Sequence, residues 1–222
     1  MGSYLNPGNK GFQESLNSEI YVDKTGLIEK TNEVLDTRQK FLCVSRPRRF
    51  GKSMAADMLA AYYERGEDSA ELFGTLKISK VESYEKNRNQ YDIIKVNMQE
   101  FLSMTHSMDE MLSMLQKYLI FDLTDHFDNV RFRDENNLIQ VMKDIYSKTK
   151  HSFVILIDEW DCLFREYQQD QEAQKKYLDF LRAWLKDKDY VALAYMTGIL
   201  PIKKYGSHSA LNMFTEYSMT DP

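Results

Sequence analysis

Residues 45–54 read SRPRRFGKSM and end in Gly51, Lys52 and Ser53. These residues close the motif G-x-x-x-x-G-K-[ST], whose backbone cradles phosphates while the lysine reaches the β- and γ-phosphates and the hydroxyl binds Mg²⁺. Arg46 stands where the motif has its first glycine. Three interpretations follow from the residues: a working nucleotide site, a variant of one, or a basic loop that only looks like one.

The segments on either side of this loop favour a working site. The apolar run KFLCVS (40–45) predicts a strand, and KSMAADML (52–59) predicts an amphipathic helix. A phosphate-binding loop needs this setting, because the helix N-terminus adds partial positive charge beside the phosphates. The predicted contacts to the nucleotide are Arg46, Pro47, Arg48, Arg49, Phe50, Gly51, Lys52, Ser53 and Met54. The arginines could contact phosphate, face a neighbouring subunit or nucleic acid, or form a solvated turn.

Strand and helix patterns alternate along the rest of the chain. Further strands are predicted at YDIIKVNM (91–98), SFVILID (152–158), YVALAYMT (190–197) and, with weaker alternation, MFTEYSM (213–219). Amphipathic helices are predicted at 53–66, 108–123, 134–148 and 170–187. Strands that alternate with helices predict a parallel α/β sheet with right-handed crossovers.

Acidic and hydroxyl side chains follow two of these apolar strands. Asp158 and Glu159 end FVILIDE, where Asp158 could hold Mg²⁺ and Glu159 could polarise the attacking water as a general base. Thr197 ends the strand at 190–197 and could sense the γ-phosphate and orient that water. The alternatives are that the two acids begin a solvated loop and that Thr197 only terminates its strand. Asp161 could orient Glu159 or cap the next helix.

The segment before the first strand offers candidates for the nucleobase. Tyr21 and Lys24 are predicted to contact adenine, although this segment could equally be a helix-capping structure. ATP is favoured over GTP because the chain has no N-K-x-D loop.

Composition sets the broad class of the protein. The chain has 222 residues, 43% of them hydrophobic and 28% charged, and carries a net charge of −5, which is ordinary for a single globular domain. That acidity does not favour nucleic acid as a general partner. With two cysteines, no apolar run long enough for a membrane helix and no signal-peptide core, the expected compartment is the cytoplasm and no membrane partner is expected.

Taken together, YVDKTGLI (21–28), RPRRFGKS (46–53), LIDEWD (156–161) and the region 196–219 resemble the AAA-ATPase-like family, over almost the whole chain. RPRRFGKS is close to a signature of that family, whose loop usually has arginine in place of the first glycine. The resemblance therefore implies that Arg46 is a tolerated variant. The family commonly reads D-E-Y-D with a proline nearby, whereas this chain has Trp160 and then Cys162-Leu163.

The motifs and the resemblance predict a P-loop NTPase: a three-layer α/β/α sandwich with a mainly parallel sheet of about five strands, ordered 5-1-4-3-2. We expect one ATPase domain over 1–222, with an N-terminal segment (1–38) near the nucleotide and the core at 39–222. Because the chain ends at Pro222, we expect it to lack the helical lid and the PD-(D/E)xK nuclease-like domain that follows this domain in many members.

The expected activity is Mg²⁺-dependent ATP hydrolysis through Walker A and Walker B motifs, coupled to movement of a partner or C-terminal domain. The alternative is a regulatory module that binds nucleotide without hydrolysing it and controls an effector such as a nuclease. No arginine finger is identifiable, and a second copy of the chain could supply one, so we expect slow hydrolysis by the isolated chain. Nucleic acid as a partner follows only by analogy with the family.

Overall fold

The predicted apolar runs form strands of one parallel sheet. A computed structural model describes residues 2–202 and 210–218, and its strands are β1 (Phe41–Ser45), β2 (Asp92–Asn97), β3 (Phe153–Asp158), β4 (Val191–Gly198) and β5 (Thr215–Tyr217). They lie in the order β2-β3-β4-β1-β5, and all neighbouring strands pair in parallel. This arrangement confirms the predicted strand order 5-1-4-3-2.

Helices precede, connect and flank the strands. Those of the described chain are α1 (Lys10–Leu16), α2 (Gly26–Val34), α3 (Lys52–Tyr63), α4 (Ala70–Phe73), α5 (Tyr84–Asn87), α6 (Met98–Ser103), α7 (Met108–His126), α8 (Leu138–Thr149), α9 (Cys162–Glu166) and α10 (Gln171–Leu185). A 3₁₀ turn spans Lys77–Lys80.

Two hydrophobic clusters cover the two faces of the sheet. One includes Leu115 of α7, Val141 of α8 and Trp184 of α10. The other includes Phe12 of α1 and Leu59 of α3. All six residues of β3 are buried, because side chains on both faces are covered, which accounts for the uninterrupted apolar run in the sequence. The predicted three-layer α/β/α sandwich is therefore confirmed.

Several helix bounds differ from those that the sequence predicted. The helix predicted for 53–66 ends at Tyr63, because the backbone turns extended at Glu64, which forms a parallel bridge with Tyr91. The helix predicted for 134–148 begins at Leu138, where the Asn137 side chain accepts a hydrogen bond from the Gln140 N–H at 3.1 Å.

Two further elements show smaller differences. The helix predicted for 108–123 continues to His126. The strand predicted for 213–219 covers Thr215–Tyr217, and the end of that predicted run, residue 219, lies outside the described residues.

The strand register brings the polar ends of four strands to one edge. Asn97 pairs with Asp158 across β2 and β3, and Val44 of β1 pairs with Thr197 of β4. The carboxyl ends of parallel strands form the crevice where open α/β sheets bind ligands. The candidate residues after β1, β3 and β4 are therefore neighbours in space.

Candidate functional site

The loop 46–51 joins β1 to α3, and two of its residues adopt the left-handed backbone conformation. Arg49 has φ 68° and Gly51 has φ 72°. A Cβ at Gly51 would lie 2.8 Å from Lys24 Nζ, which donates a hydrogen bond to the Phe50 carbonyl at 3.1 Å. The left-handed backbone favours glycine at this position, whereas the end of the flexible Lys24 side chain could move aside for a Cβ. The hydrogen bond from Lys24 ties the segment before α2 to the loop.

Lys52 begins α3, and its side chain folds back under the loop. Its Nζ donates hydrogen bonds to the carbonyls of Arg46 and Pro47, each at 3.0 Å, and the residue is buried. Within the described chain no carboxylate forms an ion pair with this ammonium group. The loop thus encloses a positive charge that is available to an anionic ligand.

Asp158, at the end of β3, joins three parts of the sequence. Its Oδ2 accepts a hydrogen bond from Ser53 Oγ at 2.5 Å, and its Oδ1 accepts hydrogen bonds from the Thr197 hydroxyl and from the Glu159 N–H at 2.9 Å. Both Asp158 and Thr197 are buried. A carboxylate next to a serine hydroxyl supplies the oxygen ligands that Mg²⁺ prefers.

Glu159 follows in a left-handed backbone conformation, with φ 52°. Non-glycine residues adopt this conformation infrequently, and here it turns the chain sharply after the strand. The Glu159 carboxylate forms an ion pair with the guanidinium of Arg165 on α9. This pairing was not predicted from the sequence.

Trp160 and Asp161 attach the loop after β3 to the loop after β4. The Trp160 N–H donates a hydrogen bond to the Thr197 carbonyl at 3.1 Å. Asp161 Oδ2 accepts hydrogen bonds from the backbone N–H groups of Ile199 at 2.9 Å and Leu200 at 2.7 Å. Asp161 occupies the N-cap position of α9 without a side-chain cap bond, so the predicted capping role is wrong. Its observed hydrogen bonds fix the loop after β4. Its predicted role in orienting Glu159 stays a prediction.

A cleft of about 590 Å³ opens beside this junction. Asp158 and Thr197 are buried and do not line it. Of the predicted residues it contains Glu159 and most of the loop and its helix start: Arg48, Arg49, Gly51, Lys52, Ser53 and Met54. Asn97, Gln99, Arg165 and Glu166 complete its lining. Four cationic side chains line the cleft against two carboxylates, which favours an anionic ligand.

A second cavity of about 580 Å³ adjoins the same loop. It is lined by loop residues and by apolar and aromatic side chains of α2, β1, β4 and β5: Arg46, Phe50, Gly51, Lys52, Leu27, Val34, Leu42, Val44, Tyr195 and Tyr217 among them. Gly51 and Lys52 line both cavities. The two cavities therefore adjoin each other at the start of α3.

The two predicted adenine contacts lie in different places. Lys24 lines the second cavity. Tyr21 does not; its ring packs edge-on against Phe12, with centroids 6.2 Å apart, and burial raises the pKa of its phenol to about 12. Pro47 lines neither cavity and contributes its carbonyl to Lys52.

Sequence reasoning missed Arg165 and Tyr217 as lining residues. Arg165 lies four residues after Asp161, one helical turn on, and their side chains are 3.8 Å apart. That spacing was a usable signal, because residues four apart lie on the same side of a helix. Tyr217 carried no such signal, since its position depends on the pairing of β5 with β1.

The comparison with protein families identifies the chain's relatives. The model of the family described as "Predicted AAA-ATPase" matches residues 8–207. The chain belongs to this AAA-ATPase-like family. The match includes the loop 46–51, the acids after β3 and Thr197, so that both sides of the cleft lie within the AAA-ATPase-like region.

One curated relative is longer than this AAA-ATPase-like chain. The protein described as "Uncharacterized protein in vnfD 5'region", from Azotobacter chroococcum mcd 1, is 24% identical over 212 residues. The alignment covers 90% of this chain and 37% of that protein. The chain thus spans little more than a third of the length of that relative.

Within residues 2–202 and 210–218, none of the helices has the length and apolar character needed to cross a membrane.

Proposed function

We propose that this domain binds ATP together with Mg²⁺ and hydrolyses the bond to the terminal phosphate. The observation that carries the proposal is the junction at Asp158, which bonds Ser53 and Thr197 directly beside Lys52 and Glu159. Phosphoryl transfer depends mostly on positioning and charge neutralisation, and these groups can provide both.

The triphosphate would occupy the first cleft. Lys52 would exchange the carbonyls of Arg46 and Pro47 for oxygens of the β- and γ-phosphates, because an ammonium group binds an anion more strongly than a neutral carbonyl. The N-terminus of α3, a helix of 12 residues, would add its partial positive charge. Pro47 can contribute no N–H to this cradle.

Ser53 and Asp158 would hold the magnesium ion. Their oxygens already lie in contact, and hydroxyl and carboxylate oxygens with substrate phosphates are the usual ligands of this ion. When bound, Mg²⁺ would neutralise charge that develops on the phosphates. Thr197 would keep Asp158 in place and help to orient the attacking water.

Glu159 would act as the general base. Its carboxylate would take a proton from the water whose oxygen attacks the terminal phosphorus, while the bond from that phosphorus to the β-phosphate oxygen breaks. ADP and inorganic phosphate would leave. The adenosine would lie in the second cavity, near Lys24 and Tyr217.

Hydrolysis would drive a conformational change in a partner or in a further domain, which the greater length of the relative supports. A second copy of the chain could complete the site with an arginine, and nucleic acid remains a partner only by analogy.

A second candidate function is nucleotide binding without turnover, as a regulatory module. The ion pair between Glu159 and Arg165 favours it, because a carboxylate held by a guanidinium is poorly placed to accept a proton from water.

The test is calorimetric titration with Mg-ATP, with phosphate release followed on the same samples. Wild type should bind ATP and release phosphate, whereas Lys52→Ala should lose affinity by about tenfold or more. Lys175→Ala, which removes an exposed lysine on α10, is the matched control and should behave as wild type. Binding without phosphate release would favour the regulatory module, or a site that a second copy of the chain or a partner completes. A wild type that binds no ATP would overturn the proposal.

A further inference from the structure

Arg165 lines the cleft and has one close partner there. Its Nη2 donates to the Glu159 carboxylate, while Arg165 is only 18% exposed and Glu159 22%. A guanidinium group has five N–H donors in a planar fork, so one partner leaves most of them free. Its Nε is buried without a hydrogen-bond partner in the described chain. Arg165 is therefore held in the cleft with unused donor capacity.

A second carboxylate lies close to the same guanidinium. Asp161 Oδ1 is 3.8 Å from Arg165 Nη2, and the Asp161 side chain is fully buried. This oxygen is buried without a hydrogen-bond partner among the described residues. An acidic side chain thus lies beside the guanidinium on a side other than that of Glu159, and would remain near it if Arg165 left Glu159. Leaving Glu159 does not require the guanidinium to enter an apolar environment, which would be costly.

Bound phosphate would compete with Glu159 for this cation. Arg165 shares the cleft with Lys52 and Ser53, the groups at the start of α3 to which the phosphates are assigned. A terminal phosphate carries more negative charge than one carboxylate and suits the guanidinium fork.

We propose that Arg165 transfers from Glu159 to the terminal phosphate of a bound nucleoside triphosphate, and thereby frees the Glu159 carboxylate for the water. The inference rests on the proposed nucleotide site. In the nucleotide-free state the ion pair would hold the Glu159 carboxylate away from water. A bound triphosphate would break the ion pair, and a bound diphosphate would not. Arg165 then contacts substrate within one chain, without a second copy of the protein.

The test compares the binding of Mg-AMP-PNP, a non-hydrolysable ATP analogue, with that of Mg-ADP. Arg165→Gln should weaken AMP-PNP by about tenfold and leave ADP within about twofold. Arg165→Lys should restore part of the AMP-PNP affinity, since it keeps the charge but not the fork. Arg38→Gln, an exposed arginine before β1 at the opposite end of the sheet, is the matched control and should change neither affinity.

A double-mutant cycle of Glu159→Gln with Arg165→Gln is the decisive measurement. Glu159→Gln should strengthen AMP-PNP binding several-fold in the presence of Arg165 and have no such effect in Arg165→Gln. Equal strengthening in both backgrounds would mean that Glu159 merely repels phosphate, and would overturn the inference. Equal loss of AMP-PNP and ADP affinity in Arg165→Gln, or no loss of either, would overturn it as well.

These outcomes separate the inference from the proposed function. Wild type that binds neither nucleotide would overturn both, whereas nucleotide binding with no role for Arg165 would overturn the inference alone. In single-turnover hydrolysis, Arg165→Lys should lower the rate at saturating ATP more than it lowers ATP affinity. Thermal unfolding of each variant checks its fold, and Arg165→Lys keeps the test decisive where Arg165→Gln does not fold.

Discussion

Ser53 and Asp158 are 105 residues apart in the chain, yet Ser53 Oγ donates a hydrogen bond to Asp158 Oδ2 at 2.5 Å. The contact joins the start of α3 to the end of β3. Strand order explains it, because β4 lies between β1 and β3 and the carboxyl ends of all three strands point to the same edge. The pair connects the loop that would hold phosphate to the acids that would act on it.

Removal of the Ser53 hydroxyl should uncouple nucleotide binding from magnesium. Mg²⁺ should increase the ATP affinity of wild type, and this increase should be about tenfold smaller in Ser53→Ala, because one oxygen ligand of the ion is lost. Ser53→Thr keeps a hydroxyl and should retain most of the gain. Titrations with ATP in Mg²⁺ and in EDTA measure the effect. An unchanged magnesium dependence in Ser53→Ala would exclude this serine as a ligand.

The second cavity should select the nucleoside rather than the phosphates. Tyr217→Ala should weaken ATP binding by about threefold to tenfold, because an aromatic lining residue is lost, and should leave inorganic triphosphate binding unchanged. Competition titrations with the two ligands give both values. Tyr167→Ala is the control, since Tyr167 follows α9 and lines neither cavity. Parallel losses for ATP and triphosphate would contradict the assignment of the base to this cavity.

Gly198 should tolerate no side chain. A Cβ there would lie 2.7 Å from the Trp160 indole and 2.8 Å from Asp161 Oδ1, inside the junction of two loops. Gly198→Ala should therefore lower the free energy of unfolding by about 1–3 kcal/mol, as overpacking of a buried site does. Gly26→Ala is the matched control, because its Cβ would meet nothing within 4 Å. Urea unfolding compares the two, and equal stability of both variants would contradict the prediction.

Glu64 should make stability depend on pH. Burial raises the pKa of its carboxyl from 4.5 to about 7, although the Gly8 N–H, at 2.8 Å, lowers it. The folded state therefore binds this proton more tightly than the unfolded state, and its stabilising contribution is complete below about pH 4.5 and is lost as the pH rises through about 7.

Glu64→Gln should remove this dependence. It should be more stable than wild type at pH 8, by about 1–3 kcal/mol, and lose the advantage by pH 5. Urea unfolding at both pH values measures the change, with Glu82→Gln, an exposed glutamate, as the control. A pH profile identical to that of wild type would show that Glu64 is not the group responsible.

Local pattern was enough to predict the framework of the protein. Apolar runs of strand length, separated by amphipathic helices, predicted a parallel sheet covered on both faces. The strand order that the structure has was implied by the motifs around Lys52 and Asp158 together with the resemblance to the AAA-ATPase-like family. Helix ends were less predictable. One helix begins where the Asn137 side chain caps it, and another ends where Glu64 forms a bridge with the distant residue Tyr91. Neither contact alters the spacing of apolar residues from which the helices were predicted.

The identity of the candidate groups was thus determined by the sequence, whereas their partners were decided only by tertiary structure. The Glu159 carboxylate pairs with Arg165 where the backbone turns left-handed after β3. Asp161 bonds the loop after β4, beside the hydrogen bond from the Trp160 N–H to the Thr197 carbonyl. Tyr217 reaches the second cavity through the pairing of β5 with β1. Side-chain direction depends on backbone turns and strand pairing, which no short stretch of sequence encodes by itself.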